Sequence, residues 1–302
     1  MPKGTGPGES PQRGGLVIVD KPAGLTSHDV VARVRRLAGT RRVGHAGTLD
    51  PMATGVLLVG VGRATRLLGY LALHDKDYVA TMRLGVTTST DDAQGEPLAR
   101  TPADHLASAD VVAAMKLLTG DIDQRPPAVS AIKVDGVRAY TRARSGEDVV
   151  LAVRRVTVSR FEAIGFRPDA ELGVLDVDVE VTCSSGTYIR ALARDVGTAL
   201  GVGGHLAALR RTRVGAFDLG AARTLPELET AFTLTPLDVV AAAAFARRDL
   251  DAEQALALSH GAKLPVSGMD GEPVAAFGPD GALVALLEDR GEIARALAVF
   301  VG

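Results

Sequence analysis

The segment Gly44-His45-Ala46-Gly47-Thr48-Leu49-Asp50-Pro51 is the most informative part of this 302-residue chain. It places the carboxylate of Asp50 in backbone that glycine makes permissive, directly before a proline. The apolar run Gly55-Val-Leu-Leu-Val-Gly60 follows, and such a run predicts a buried strand. Asp50 is therefore the first candidate for a functional residue.

An aspartate followed by a proline also has an ordinary structural explanation. Aspartate is a preferred helix N-cap and proline fits the first helical position, so Asp50-Pro51 could begin a helix without any chemical role. The local sequence supports both interpretations equally. Other segments favour the functional one, namely His45, Lys21-Pro22, Tyr78 and Ser185-Gly-Thr-Tyr-Ile-Arg190.

The sequence before this segment predicts a strand, a turn and a helix. Gly15–Asp20 is an apolar run that predicts a strand, and the Pro and Gly of Lys21–Gly24 predict a turn. Thr26 or Ser27 is then expected to cap a helix that ends at Ala38.

The sequence after the segment predicts several strands and another helix. These elements do not alternate regularly, which favours an α/β fold of the α+β type over a doubly wound one. We therefore predict a mixed, mostly antiparallel central sheet with flanking helices. The segments concerned are strands at 78–84, 153–161 and 172–181 and a helix at 187–200.

Changes in composition divide the chain into candidate domains. The Gly- and Pro-rich residues 1–13 are predicted to be a disordered tail, and residues 14–240 to form the main domain. Within it, residues 126–150 are polar and basic, so we predict an inserted, mobile arm. Residues 249–302 contain one short helix and three strand candidates separated by turns, which predicts a small β-rich domain.

The net charge of −2 hides an uneven distribution of charge along the chain. Residues 1–66 carry ten Lys or Arg against four Asp or Glu, whereas residues 221–302 carry six against twelve. A locally basic surface in the first part could bind phosphate groups of a nucleic acid. A solvated charged face explains the same excess equally well.

Composition argues against several other classes of protein. No apolar run reaches the roughly 18 residues needed to cross a bilayer, and residues 1–15 lack the apolar core of a signal peptide, so a cytoplasmic location is expected. Cys183 is the only cysteine, which excludes an internal disulfide and a multi-cysteine zinc site. The histidines never have the four-residue spacing of zinc ligands on a helix, so we expect no metal.

Five segments of the chain, in the same order, resemble bacterial tRNA pseudouridine-55 synthases. The resemblance implies the pseudouridine-synthase fold for the catalytic domain at 14–240, with 126–150 as a basic RNA-binding arm. It further implies that 249–302 is a PUA-like domain that helps to hold the tRNA. Val129 and Ala46 depart from the residues that are frequent in the family. The matching segments are Lys21-Pro-Ala-Gly-Leu-Thr-Ser-His28, Gly44-His-Ala-Gly-Thr-Leu-Asp-Pro51, Asp77-Tyr-Val-Ala80, Arg125-Pro-Pro-Ala-Val-Ser-Ala-Ile-Lys-Val134 and Ser185-Gly-Thr-Tyr-Ile-Arg190.

The resemblance also implies an activity, the isomerisation of a uridine in the T-arm of tRNA by a monomeric enzyme without a cofactor. Asp50 would be its catalytic aspartate. The residue type fits, because uracil must leave C1′ of the ribose, rotate and reattach through C5, which requires a nucleophile or base but no redox agent. The sequence leaves open whether the carboxylate attacks C1′, adds to C6 or removes the 2′ proton.

Further residues are implied by the resemblance to bind the substrate. Arg190 is the cation expected to compensate Asp50, since burial beside an apolar base would otherwise raise the pKa of the carboxyl. Tyr78 and Tyr188 match aromatic residues of the base pocket, and a flipped-out base needs such a stacking surface. The others are His45, which matches the residue that fills the space left by the flipped base, Asp92, Leu209 and Lys21.

Three other functions stay open at this point. A nucleotide-binding enzyme is suggested by Gly60-Val61-Gly62 and by Gly201-Val202-Gly203-Gly204, but neither run completes a known phosphate-binding fingerprint. A non-catalytic RNA chaperone on the same fold would bind RNA without depending on Asp50. A relative that works with a guide RNA is the third, although a compact chain with its own arm favours the stand-alone, tRNA-directed branch.

Overall fold

The computed structural model describes residues 14–128, 133–134, 137–138, 151–269 and 271–301. The predicted tail and most of the predicted arm therefore lie outside the described residues. The strands are β1 (Gly14–Lys21), β2 (Val43–Ala46), β3 (Thr54–Gly62), β4 (Lys76–Leu84), β5 (Val86–Thr88), β6 (Pro97–Arg100), β7 (Gly120–Gln124), β8 (Lys133–Val134), β9 (Val137–Arg138), β10 (Arg154–Asp169), β11 (Val174–Cys183), β12 (Gly204–Val214), β13 (Phe217–Asp218), β14 (Thr235–Pro236), β15 (Ala246–Asp249), β16 (Leu264–Pro265), β17 (Val274–Phe277), β18 (Leu283–Arg290) and β19 (Ile293–Val299). The helices are α1 (Ser27–Ala38), α2 (Leu68–Leu71), α3 (Ser108–Lys116), α4 (Ile189–Ala199), α5 (Leu225–Thr230), α6 (Leu237–Ala244) and α7 (Ala252–Ser259), with a 3₁₀ turn at Arg63–Arg66.

The described residues fall into two compact units. The first contains the described residues within 14–51, 55–73 and 214–301, and the second those within 52–54 and 74–213. Both contain strands as well as helices, and their sheets are mainly antiparallel. The predicted fold class, a mixed and mostly antiparallel sheet with flanking helices, is confirmed.

The first unit is organised around the pairing of β1 with β3. These strands run antiparallel, and their register places Lys21, the last residue of β1, opposite Gly55 near the start of β3. The apolar residues Leu16–Val19 are buried, as their continuous run predicts. Helix α1 begins where it was predicted, because Thr26 forms a reciprocal capping box with Asp29.

A second sheet in the first unit contains the three predicted C-terminal strands. Its strand order is β15-β17-β18-β19-β16, with β15 parallel to β17 and the remaining pairs antiparallel. Both faces of β17 are buried, and Phe277 is completely covered. The strand pattern predicted for this region is therefore confirmed, while its description as a separate PUA-like domain stays a prediction.

The second unit is built on the strand order β12-β4-β11-β10-β7. Tyr78, Ala80, Met82 and Leu84 alternate with more exposed residues along β4 and are buried, as the period of two predicts. Helix α4 buries its predicted apolar side and contacts β4. Strand β4 thereby lies against the helix that begins after Tyr188.

Three inferences from composition can be compared with the described part of the chain. Cys183 is buried, and burial raises the pKa of its thiol to about 11, which keeps it protonated at neutral pH and fits a structural role. Within the described residues, no helix is long and apolar enough to span a membrane. The same residues contain no group of three or more His, Cys, Asp or Glu side chains arranged to hold a metal ion.

Candidate active site

Asp50 lies in the loop that joins β2 to β3 in the first unit. These strands pair antiparallel, with Ala46 opposite Leu58, and residues 47–53 form the connection. Gly47 has a φ of 81°, a left-handed conformation that glycine adopts without strain. Pro51 and Met52 form a turn and β3 follows at once, so no helix starts here and the helix-cap interpretation of Asp50 is wrong.

The residues on both sides of Asp50 are held by hydrogen bonds. The amide of Leu49 donates to Oγ of Ser27 at 2.9 Å, and this hydroxyl donates to the carbonyl of Leu49 at 3.1 Å. The carbonyl of Pro51 accepts from the amide of Gly24 at 2.8 Å. Asp50 itself is partly exposed between these two anchored neighbours.

Lys21 forms a further tie to the same loop. Its side chain is completely buried, and Nζ donates to the carbonyl of Leu25 at 2.7 Å, of Pro22 at 2.9 Å and of Pro51 at 3.3 Å. A buried ammonium surrounded by carbonyl oxygens is a well-satisfied structural cation. These contacts support a role in shaping the Asp50 loop, and substrate binding by Lys21 stays a prediction.

His45 lies on β2, five residues before Asp50. Its ring packs against that of His28 on α1 in an edge-to-face arrangement, with the centroids 5.4 Å apart and the planes at 82°. Strand β2 and the start of α1 therefore meet beside the loop. Asp50, Lys21 and His45 all belong to the first unit.

Arg190 and Asp92 form a buried ion pair in the second unit. Nη1 of Arg190 lies 3.2 Å from a carboxylate oxygen of Asp92, and both side chains are only 6% exposed. The same nitrogen donates to the carbonyl of Thr90 at 2.8 Å. Asp92 also accepts from the hydroxyl of Thr90 at 2.6 Å and the amide of Gln94 at 3.0 Å. The guanidinium is thus fixed by the loop between β5 and β6.

A second ion pair lies beside the first. Nη1 of Arg194, one turn along α4, contacts Asp91 at 3.0 Å, and Nε donates to Asp195 at 2.8 Å. Burial raises the pKa of the Asp91 carboxyl, while Arg194 opposes that shift. Adjacent aspartates thus supply an anion to each of the like-charged residues Arg190 and Arg194.

Gln124 holds the residue from which α4 begins. Its side-chain amide donates to the carbonyl of Tyr188 at 3.1 Å and accepts from the amide of Tyr188 at 2.8 Å. Gln124 is 1% exposed. Because Tyr188 precedes the helix that carries Arg190, the pairing fixes the backbone from which both predicted site residues project.

We expect Gln124→Ala to lower the stability of the protein by about 1–3 kcal/mol, because it removes a buried side chain that pairs with both backbone groups of the half-buried Tyr188. Urea unfolding compared with wild type measures the loss. Gln94→Ala is the matched control, since the Gln94 side chain is exposed. Equal unfolding free energies for the two variants would show that the Gln124 pairing contributes nothing.

Tyr78 and Leu209 lie on the paired strands β4 and β12 of the second unit. Tyr78 is 7% and Leu209 8% exposed. The carbonyl of Leu209 accepts a long hydrogen bond of 3.5 Å from Thr54, whose hydroxyl also accepts from Arg210 at 3.3 Å. Tyr78 and Leu209 are therefore buried residues of neighbouring strands, and Thr54 links the Leu209 carbonyl to Arg210.

The structure groups the predicted residues into two sets. Tyr188, Arg190 and Asp92 are brought together by contacts within the second unit, and Lys21, His45 and Asp50 by elements of the first. Sequence reasoning missed Ser27 and Gln124 as supporting residues. Ser27 was considered only as a helix cap, and Gln124 precedes the matched Arg125-Pro126-Pro127 run, so position next to a motif was the only available signal.

Three family profiles match the chain almost end to end. The profile of the N-terminal domain of TruB family pseudouridylate synthases matches residues 35–189. That of the tRNA pseudouridylate synthase B C-terminal domain matches 190–256, and that of the C-terminal part of tRNA pseudouridine synthase II matches 245–301. These matches include the Asp50 loop, α4 and the C-terminal sheet.

Full-length relatives and solved structures agree with the profiles. A tRNA pseudouridine synthase B from Thermobifida fusca is 61% identical over 95% of this chain and 99% of its own. A tRNA pseudouridine synthase B from Mycobacteroides abscessus is 58% identical over 92% of this chain and 93% of its own. A Cbf5-Nop10-Gar1 complex contains a chain with a TM-score of 0.73 and 28% identity, covering 96% of this chain and 86% of that one. A chain in an H/ACA RNP bound to a substrate RNA containing 2′-deoxyuridine has a TM-score of 0.72 and 26% identity, and the match covers 97% of this chain and 86% of that one. This chain belongs to the TruB family of pseudouridylate synthases.

Proposed function

We propose that the enzyme converts the uridine at position 55, in the T loop of tRNA, to pseudouridine, with Asp50 as the reacting carboxylate. The observation that carries the proposal is 61% identity over 95% of the chain to a tRNA pseudouridine synthase B. The anchored loop around Asp50 supports the choice of this residue, because a reacting group must be held in a defined position.

The proposed reaction is an isomerisation in which all atoms and electrons balance. The bond from N1 of uracil to C1′ breaks, a bond from C5 to C1′ forms, the C5 proton leaves and N1 gains a proton. No oxidant or reductant is consumed. A carboxylate can attack C1′, add to C6 or remove the 2′ proton, and each route requires its ionised form. The protein is proposed to need no cofactor.

The remaining candidate residues are proposed to receive the base. Extruding a base from a folded RNA loop costs a few kcal/mol, which stacking on an aromatic ring can offset. Tyr78 and Tyr188 are proposed to supply that surface, Leu209 an apolar wall, and His45 the side chain that fills the vacated space. Arg190, oriented by Asp92 and Thr90, is proposed to offset the charge of Asp50.

The reaction can be followed by the release of tritium from C5 of uridine. Wild-type enzyme is expected to release at most one equivalent from a labelled tRNA transcript. Replacing the uridine at position 55 by cytidine should abolish the release. Unchanged release from the substituted transcript would contradict the proposed position, whereas no release from either transcript would favour a non-catalytic RNA chaperone.

The tRNA T-arm is the proposed partner, bound by a monomer in the cytoplasm. Residues 249–302 are proposed to help hold it as a PUA-like domain, and the arm at 126–150 to contribute basic contacts. In the described residues, α1 and the turn after it present several arginines to solvent. Arg33, Arg36, Arg41 and Arg42 are among them.

We expect Arg41→Ala and Arg42→Ala each to reduce the slope of log affinity against log salt by nearly one unit, because each exposed arginine that contacts a phosphate releases about one counterion. Filter binding to tRNA between low and moderate salt measures the slope. Arg100→Ala, which removes an exposed arginine on β6, is the control and should leave the slope unchanged. An unchanged slope in both the Arg41→Ala and the Arg42→Ala variant would show that the RNA does not contact these two arginines.

A further inference from the structure

We propose that Ser27 is a positioning residue for Asp50, which it holds through both backbone groups of Leu49. The inference rests on the proposed function, since it assumes that Asp50 is the reacting carboxylate. Ser27 is 1% exposed, so it acts through Leu49 and does not touch RNA. Its hydroxyl pairs with both the amide and the carbonyl of the residue directly before Asp50.

The geometry of this contact fixes both the position and the orientation of the Leu49 backbone. A hydroxyl that accepts from the amide and donates to the carbonyl of one residue constrains the rotation of both peptide units that flank it. The distances, 2.9 Å for the accepted bond and 3.1 Å for the donated one, are those of good hydrogen bonds. The second of these peptide units is the one that joins Leu49 to Asp50.

Ser27 is placed by its position in the fold. It is the first residue of α1, directly after the N-cap Thr26. On the other side of Asp50, Pro51 is hydrogen-bonded to Lys21, the last residue of β1, and to Gly24, which lies in the turn that leads into α1. The segment from the end of β1 to the start of α1 therefore forms hydrogen bonds to the residues on both sides of Asp50.

Helix capping does not account for the hydroxyl of Ser27. Thr26 is the N-cap, and its side chain already accepts from the amide of Asp29. The hydroxyl of Ser27 instead bonds to a residue 22 positions later. The two neighbouring hydroxyl residues thus have separable roles. Thr26 caps α1, whereas Ser27 bonds to the loop that contains Asp50.

This separation supplies the experiment, in which Ser27→Ala is compared with Thr26→Ala. Single-turnover tritium release at saturating tRNA, tRNA affinity by filter binding and thermal unfolding are measured on each protein. We expect Ser27→Ala to slow isomerisation by about 10- to 100-fold with affinity within about threefold, because a small displacement of a reacting group has effects of this size. Thr26→Ala should unfold at a lower temperature but retain a rate within about threefold of wild type. Ser27→Thr, which keeps the hydroxyl, should recover most of the rate.

Each outcome bears on the proposal. A Ser27→Ala rate within twofold of wild type, an equal loss in Thr26→Ala, or a Ser27→Thr rate as low as that of Ser27→Ala would each overturn it. Asp50→Asn is assayed beside these variants. If Asp50→Asn is inactive while Ser27→Ala is unaffected, only the positioning role fails. If Asp50→Asn is fully active, the proposed function of Asp50 fails and the positioning role fails with it.

Discussion

Asp50→Asn is expected to abolish detectable pseudouridine formation and to change tRNA affinity by less than about tenfold, or about 1.4 kcal/mol. The substitution preserves the shape of the side chain but removes the charge and the nucleophilicity that isomerisation requires. Affinity should survive, because binding energy is distributed over many phosphate and stacking contacts. A single substitution would therefore remove the activity while leaving tRNA binding largely intact.

The test combines tritium release with filter binding on the same protein preparations. Asp110→Asn is a matched control, because it makes the same charge change at an exposed position on α3. The control should have wild-type activity. Wild-type rates in Asp50→Asn would contradict the proposed mechanism.

Arg190→Ala is expected to reduce both stability and activity. Removing one partner of a buried ion pair leaves the other charge uncompensated, and Asp92 is only 4% exposed, so a loss of about 3–5 kcal/mol in stability is expected. Activity should fall by a large factor as well, because Arg190 is proposed to offset the charge of Asp50 in the complex with RNA. Urea unfolding and tritium release measure the two effects.

The double variant Arg190→Ala/Asp92→Asn separates these effects. It removes the charge that Arg190→Ala leaves buried, so part of the stability should return. Activity should stay low, because the proposed role of the guanidinium is still missing. Recovery of activity together with stability would show instead that Arg190 serves only to neutralise Asp92.

Local sequence patterns correctly predicted those helices and strands whose formation depends on residues close together in the sequence. The start of α1 at Thr26 or Ser27, the apolar run of β1, the alternation along β4 and the amphipathic α4 were all placed correctly. Each depends on residues within a few positions of one another, so periodicity and capping preferences are sufficient. The loop of Asp50 was less certain, since Asp-Pro fits a helix start and a turn equally well. The pairing of β2 with β3 requires the turn.

Long-range contacts that support the site could not be predicted in this way. Ser27 meets Leu49, Gln124 meets Tyr188, and Arg190 meets Asp92 only because the chain folds around them. The loop after β5 covers Arg190, since the backbone of Leu206 on β12 bonds to Asp91 and Ala93 and holds that loop in place.

Mapping of tRNA pseudouridines in cells that lack the gene tests the central claim most directly, because a missing modification identifies both substrate and position. We predict the loss of one pseudouridine, at position 55 in the T loop, its return with the wild-type gene and its continued absence with the Asp50→Asn gene. Retention of every tRNA pseudouridine in the deleted cells, or restoration by Asp50→Asn, would contradict the account.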